Sequence, residues 1–181
     1  CQLFWHCYLI KHTVTGTLLA KKIITRCIQK KITLCGAESC TGGLVSSILT
    51  KIPGCSQVFK GSIVSYANAA KIALLGVPET ILEHYGAVSE HCAEAMALGA
   101  AEKFNADIAF AVTGIAGPEG GSSAKPVGTV WFSLYVQHHI LTQGIPRKKT
   151  WKCQFTGSRL AIQKQSALEL LQALLIIISD E

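Results

Sequence analysis

The sequence predicts a layered α/β protein: a single three-layer α/β/α domain on a mostly parallel, mixed, five-stranded sheet. Three observations carry this. Segments of helical period alternate with short, continuously apolar runs, as happens where helices cover both faces of a sheet. Hydrophobic residues make up 49% of the 181 and charged residues 15%, which suits a well-filled core and excludes a disordered chain. No internal repeat or low-complexity linker divides the chain.

Residues 1–16 have no clear period and read as an N-terminal extension, leaving 17–181 as the domain. In 15–31, Leu19, Ile23 and Cys27 form one stripe of an amphipathic helix. "ITLCG" (32–36) reads as a buried strand. Beyond Gly43, Leu44, Val45, Ile48, Leu49 and Ile52 recur at helical spacing, and that helix should stop before Pro53-Gly54. "VFKGSIVSY" (58–66) is a second strand. "NAAKIALLG" (68–76) is a short helix closed by Gly76, and "PETILEHYG" (78–86) is another with proline at its start and glycine at its end. Ser89 should cap the next helix, whose apolar face is Ala93, Met96, Ala97, Ala100 and Phe104. "DIAFAV" (107–112) is a third strand, followed by a Gly/Pro/Ser-rich loop over 113–128. "TVWFSLYV" (129–136) and "TWKCQF" (150–155) complete the sheet, and a long helix runs from about Ser158 to the end.

The net charge of +6 favours anionic small ligands. It does not predict a nucleic acid partner, because Lys21-Lys22, Lys30-Lys31 and Arg147-Lys148-Lys149 are short and scattered. The eight cysteines include no C-x-x-C pair; several lie in apolar runs, and a domain of this size does not need disulfides, so reduced thiols in a cytoplasmic protein are expected. Neither "CQLFWHCYLI" nor "LLQALLIII" reaches the roughly 20 apolar residues of a membrane span, and no membrane association is expected.

In open α/β sheets, ligands gather at the carboxyl ends of the strands. Two turns there are rich in Ser, Thr and Gly. In "LCGAESCTGG" (34–43), Ser39 lies between a strand and a helix, just before Gly42 and Gly43. Helix-terminal amides can stabilise an oxyanion, and glycines let a ligand approach the backbone. Ser39 or Thr41 could equally be a plain helix cap. Cys40 is a rival nucleophile, since a thiol at a helix start has a lowered pKa; the residue pattern does not choose between them. None of the six histidines adjoins a Gly-rich turn. Lys71 could act as base if burial lowers its pKa, or could be a surface lysine. The second turn, "VTGIAGPEGG", offers Thr113, Gly114 and Gly117, as a phosphate cradle or as an ordinary connection. Arg159 could pair with an anion or lie solvated.

Taken in order, "AESCTGG", "GSIVSYANAAKIALLGVP", "YGAVSE", "VTGIAGPEGG" and "KPVGTVWFSL" resemble the CinA C-terminal domain family, the nicotinamide-nucleotide amidohydrolases, over roughly residues 17–178. The resemblance implies a metal-free, cofactor-free serine hydrolase that converts nicotinamide mononucleotide to nicotinic acid mononucleotide and ammonia, and a homodimer. By motif, Ser39 would be the nucleophile and Lys71 the base, with Tyr66 beside it and Thr113 positioning or polarising the reacting groups. Cys40, Thr41, Gly42, Gly43, Asn68, Gly114, Gly117 and Arg159 would bind substrate, with amides between Cys40 and Gly43 as oxyanion donors. One departure is Ser158, where the family usually has an acidic residue before the arginine. Larger members carry a further N-terminal domain resembling molybdopterin-binding proteins, linked to ADP-ribose pyrophosphatase activity; these residues leave no room for it, so that activity is not expected. A non-catalytic nucleotide-binding module of the same fold, or a module tied to competence or DNA damage, is the alternative.

Overall fold

The computed structural model describes residues 16–137 and 147–179. Its elements are α1 (Gly16–Lys30), β1 (Leu34–Glu38), α2 (Leu44–Thr50), a 3-10 turn (Cys55–Gln57), β2 (Phe59–Val64), α3 (Asn68–Leu75), α4 (Glu79–Tyr85), α5 (Glu90–Phe104), β3 (Ile108–Gly114), β4 (Thr129–Val136), β5 (Lys148–Gln154) and α6 (Arg159–Ser179). The expected extension lies outside the described residues except for Gly16, which opens α1.

The sheet order is β2-β1-β3-β4-β5. β1 runs parallel to both β2 and β3, while β4 is antiparallel to β3 and to β5. Four of the five strands therefore point one way and β4 is the reversed one, so the mixed, mostly parallel sheet is as expected.

Alternation along β3 builds the two faces. Ile108, Phe110 and Val112 pack with Leu19, Ile23, Val45, Leu170 and Leu174 in the larger core, under α1, α2 and α6. Ala109 and Ala111 pack with Cys35, Ala37, Met96, Ala97 and Ala100 in the smaller core, under α3 and α5. That second face is lined with small residues, so α5 lies close to the sheet and α3 close to α5. A Cβ on Gly99 would fall 1.9 Å from the carbonyl oxygen of Leu75.

Strand boundaries differ from the sequence reading in one consequential place. β1 spans 34–38 instead of 32–36. Ile32 still closes the end of α1, its N–H donating to Cys27 O, and pairing on both sides then continues through Glu38. The strand therefore delivers Glu38, fully buried, to its carboxyl end beside Ser39.

α6 has the length and composition of a membrane-crossing helix, and half of that stretch is buried inside the fold. It is the core helix of the larger face.

Candidate active site

Ser39 follows β1 directly. Its N–H donates to Val112 O at 3.0 Å, prolonging the strand pairing by one residue, and its carbonyl accepts from Gly42 N–H at 3.0 Å, which turns the chain. Gly42 and Gly43 take positive φ values of 61° and 95°, a region that β-carbon-bearing residues avoid. The side chain of Ser39 is 7% exposed.

Lys71 reaches the same point from α3. It is 1% exposed, and its Nζ donates to Ser65 O at 2.7 Å and Tyr66 O at 3.3 Å and lies 3.1 Å from Ser39 Oγ. Burial pushes its pKa below the ordinary lysine value of 10.5, because an ammonium loses hydration there. In a neutral amine two N–H groups satisfy the two carbonyls, and the lone pair is left for the hydroxyl of Ser39. The contact has the geometry of a hydrogen-bonded nucleophile–base pair, the arrangement that covalent catalysis uses.

Cys40 is in the opposite condition. It is 4% exposed and belongs to the larger core, and burial pushes its thiol up to about 12. The thiolate that nucleophilic attack needs is therefore suppressed. The two candidates that the residue pattern left level differ in their surroundings: Lys71 contacts the Ser39 hydroxyl, while the Cys40 thiol belongs to the larger core with its pKa raised.

The start of α2 is capped by neither Ser39 nor Thr41. Gly43 occupies the cap position without a side-chain bond, and the cap is Glu38. Its Oε2 accepts from Thr41 Oγ1 at 2.7 Å, Gly43 N–H at 3.0 Å and Val45 N–H at 3.1 Å. Its Oε1 accepts from Ser46 N–H at 2.9 Å and Ser46 Oγ at 2.6 Å. Sequence reasoning passed over Glu38, although a signal was there: an apolar strand ending on a carboxylate, with hydroxyls three and eight positions later. The Gly42 and Leu44 amides are also spent internally, on Ser39 O and Thr41 O. Of the expected oxyanion donors, the Thr41 amide has no acceptor among the described residues, and the Cys40 amide faces only its own side-chain sulfur.

Arg159 opens α6 and ties two parts of the site together. One guanidinium nitrogen donates to Gly117 O at 2.8 Å and the other to the hydroxyl of Tyr66 at 2.6 Å. Tyr66 is thus held by Arg159 through its hydroxyl and by Lys71 through its carbonyl. Thr113, 1% exposed, donates its hydroxyl proton to Ala87 O at 2.8 Å; it braces the neighbouring loop and has its oxygen lone pairs left over. Gly114 and Gly117 permit close packing, since added β-carbons would fall 2.7 Å from Val130 and 2.5 Å from Val127. Asn68 sits exposed at the start of α3, with no side-chain hydrogen bond to the site among the described residues. A cleft of about 340 Å³ opens beside the turn, between Gly42-Gly43 and Leu160, Gln163 and Lys164 of α6. The described histidines, His84 and His91, both lie against the ring of Tyr85. No group of three or more potential metal-ligating side chains converges among the described residues.

Fold and site together define a class: a three-layer α/β domain that presents a serine, with a buried lysine against it, at the end of its central parallel strands. The CinA C-terminal domain family model matches residues 17–178, and the chain belongs to that family. A "CinA-like protein" from Prochlorococcus marinus subsp. pastoris is 49% identical over 148 residues, covering 82% of this chain and 33% of that protein. The chain spans about a third of the length of the long relatives it matches first. A shorter protein from Enterobacter agglomerans, named nicotinamide-nucleotide amidohydrolase PncC, is 50% identical over 139 residues, covering 77% of this chain and 80% of that protein. Among solved structures, a CinA superfamily protein from Klebsiella pneumoniae superposes with a TM-score of 0.85 at 30% identity, covering 93% of this chain and 100% of that one.

Proposed function

We propose that this domain hydrolyses the carboxamide of nicotinamide mononucleotide, releasing ammonia and nicotinic acid mononucleotide. The observation that carries the reading is the buried Lys71 amine, anchored by two carbonyls and 3.1 Å from Ser39 Oγ. The name of the Enterobacter relative supports the substrate.

In this reading Lys71 takes the proton of Ser39 as Oγ bonds to the carboxamide carbon, and the carbonyl electrons move onto oxygen. The Cys40 and Thr41 amides stabilise that oxyanion. The oxyanion collapses, the C–N bond breaks, and the nitrogen leaves as ammonia with the proton from Lys71. A water then gives its proton to Lys71 and attacks the acyl-serine, and the same proton returns to Ser39 as the acid departs. The donors at the start of α2 are occupied by Glu38, so the substrate's phosphate is held elsewhere. Arg159 and the loop around Gly117 supply that contact.

Ammonia release from nicotinamide mononucleotide, measured with EDTA present, tests the reading. Wild type and Cys40→Ala should turn over within about threefold of one another, and Ser39→Ala and Lys71→Ala should fall by about 10³-fold or more. A folded wild type that releases no ammonia would replace the amidase with a nucleotide-binding module.

A further inference from the structure

The buried charged side chains among the described residues are two, Glu38 and Lys71, and both attend Ser39. Lys71 touches its hydroxyl, while Glu38 precedes it in the chain. Glu38 forms no ion pair among the described residues, an unusual state for a fully buried carboxylate. Five donors, all from residues 41–46, satisfy it instead. The carboxylate therefore closes a ring of hydrogen bonds around the segment that turns immediately after the nucleophile. Its own backbone is held as well: Glu38 O accepts from Ser65 N–H at 2.9 Å, and Ser65 O is one of the two carbonyls that anchor Lys71.

We infer that Glu38 is a positioning residue for the nucleophile. Its carboxylate fixes the 39–46 turn so that Ser39 Oγ stays against Lys71 Nζ, while the Thr41 amide keeps its freedom from internal acceptors. It touches neither substrate nor the reacting atoms. This inference rests on the reading of Ser39 as nucleophile.

Glu38→Gln isolates the effect. Glutamine keeps the volume but replaces one acceptor oxygen by an NH₂ donor. Either the two Ser46 donors or the Thr41, Gly43 and Val45 donors then face another donor, and the turn must shift. The readouts are the thermal midpoint, kcat and KM with nicotinamide mononucleotide, and the rate of Ser39 modification by phenylmethanesulfonyl fluoride, located by peptide mass spectrometry. In a folded Glu38→Gln, labelling and kcat should both drop by about tenfold to a hundredfold with KM within about threefold, the pattern of a misplaced nucleophile. A folded variant that labels and turns over within about twofold of wild type overturns the inference. If Glu38→Gln does not fold, Ser46→Ala decides by removing the donor to Oε1 that a side chain supplies. Labelling slowed several-fold supports the role, and wild-type labelling overturns it. Wild type that labels at Ser39 but releases no ammonia sinks the proposed substrate and leaves labelling to judge Glu38. Wild type that does not label at Ser39 overturns both.

Discussion

Lys71 is where burial and chemistry meet. Its folded pKa lies below the unfolded value of 10.5, so the unfolded chain holds a proton that the folded chain has already released in the window between the two values. Stability then rises with pH across that window, and the burial penalty is largest below the folded pKa. Lys71→Met has no such proton. Wild type should therefore gain stability relative to Lys71→Met as pH is raised from about 7 toward 10, measured by urea unfolding of both proteins. The same titration should appear in kcat/KM, which rises with pH as the free base forms and levels off below 10.5. Parallel unfolding curves with no pH-dependent gap would mean that Lys71 titrates alike in both states. "SYANAAK" alone left a lowered pKa and a surface lysine both open, because the sequence shows a lysine but not its solvent. Cys40 gives the converse lesson. Its place next to a helix start suggested activation, and only packing into the larger core reveals the opposite shift, to about 12.

At the scale of elements, the site depends on how tightly α3 is seated. Lys71 and Leu75 lie on the buried side of α3, and α5 presses on that helix's end where Gly99 meets Leu75 O. Both partners at that contact are backbone, so neither can yield by a rotamer change. Gly99→Ala should cost about 1–3 kcal/mol through overpacking and displace α3, carrying Lys71 away from Ser39. Thermal unfolding should show the lower midpoint, and ammonia release below that midpoint should be reduced as well. Full activity in the folded variant would show that α5 shifts and α3 stays in place. The helices themselves were readable, since the 3.6-residue stripes of α1, α2 and α5 were visible as spacing, and so was the Ser89 cap, which accepts from Cys92 N–H at 3.2 Å. The end of β1 was not. An apolar run stops looking like a strand at its first polar residue, yet β1 continues to a buried glutamate because its neighbours on both sides continue to pair. The cap of α2 was hidden for the same reason: its acceptor lies five positions ahead of Gly43, in the preceding strand, outside the usual cap position.

Over the whole molecule, the layers followed from the alternation of helical and apolar runs, but the strand order did not. β1 becomes an interior strand only because β2 and β3, far apart in the chain, settle on either side of it, and periodicity says nothing about such pairings. The short basic clusters are also distributed by the fold. Lys21 and Lys22 sit on α1, while Lys148 pairs with Glu94 at 2.6 Å and Lys149 lies over Trp151 on β5. α6 spans the candidate site and the core: its first turn brings Arg159 against Gly117 O, and its middle supplies Leu170, 0% exposed, to the larger core. Those two residues are eleven positions apart, or ~16 Å along the axis. The two duties should therefore separate. Leu170→Ala leaves a cavity costing about 3 kcal/mol, which for a domain of this size lowers the melting midpoint by roughly 6–12 °C. Its kcat and KM at 25 °C, well below that midpoint, should stay within about twofold of wild type, because local additivity holds for groups this far apart. Calorimetry and ammonia release on one preparation make the comparison. If activity collapses while the protein remains folded, the core of α6 governs the placement of Arg159, and stability and catalysis in this domain are linked through the long helix.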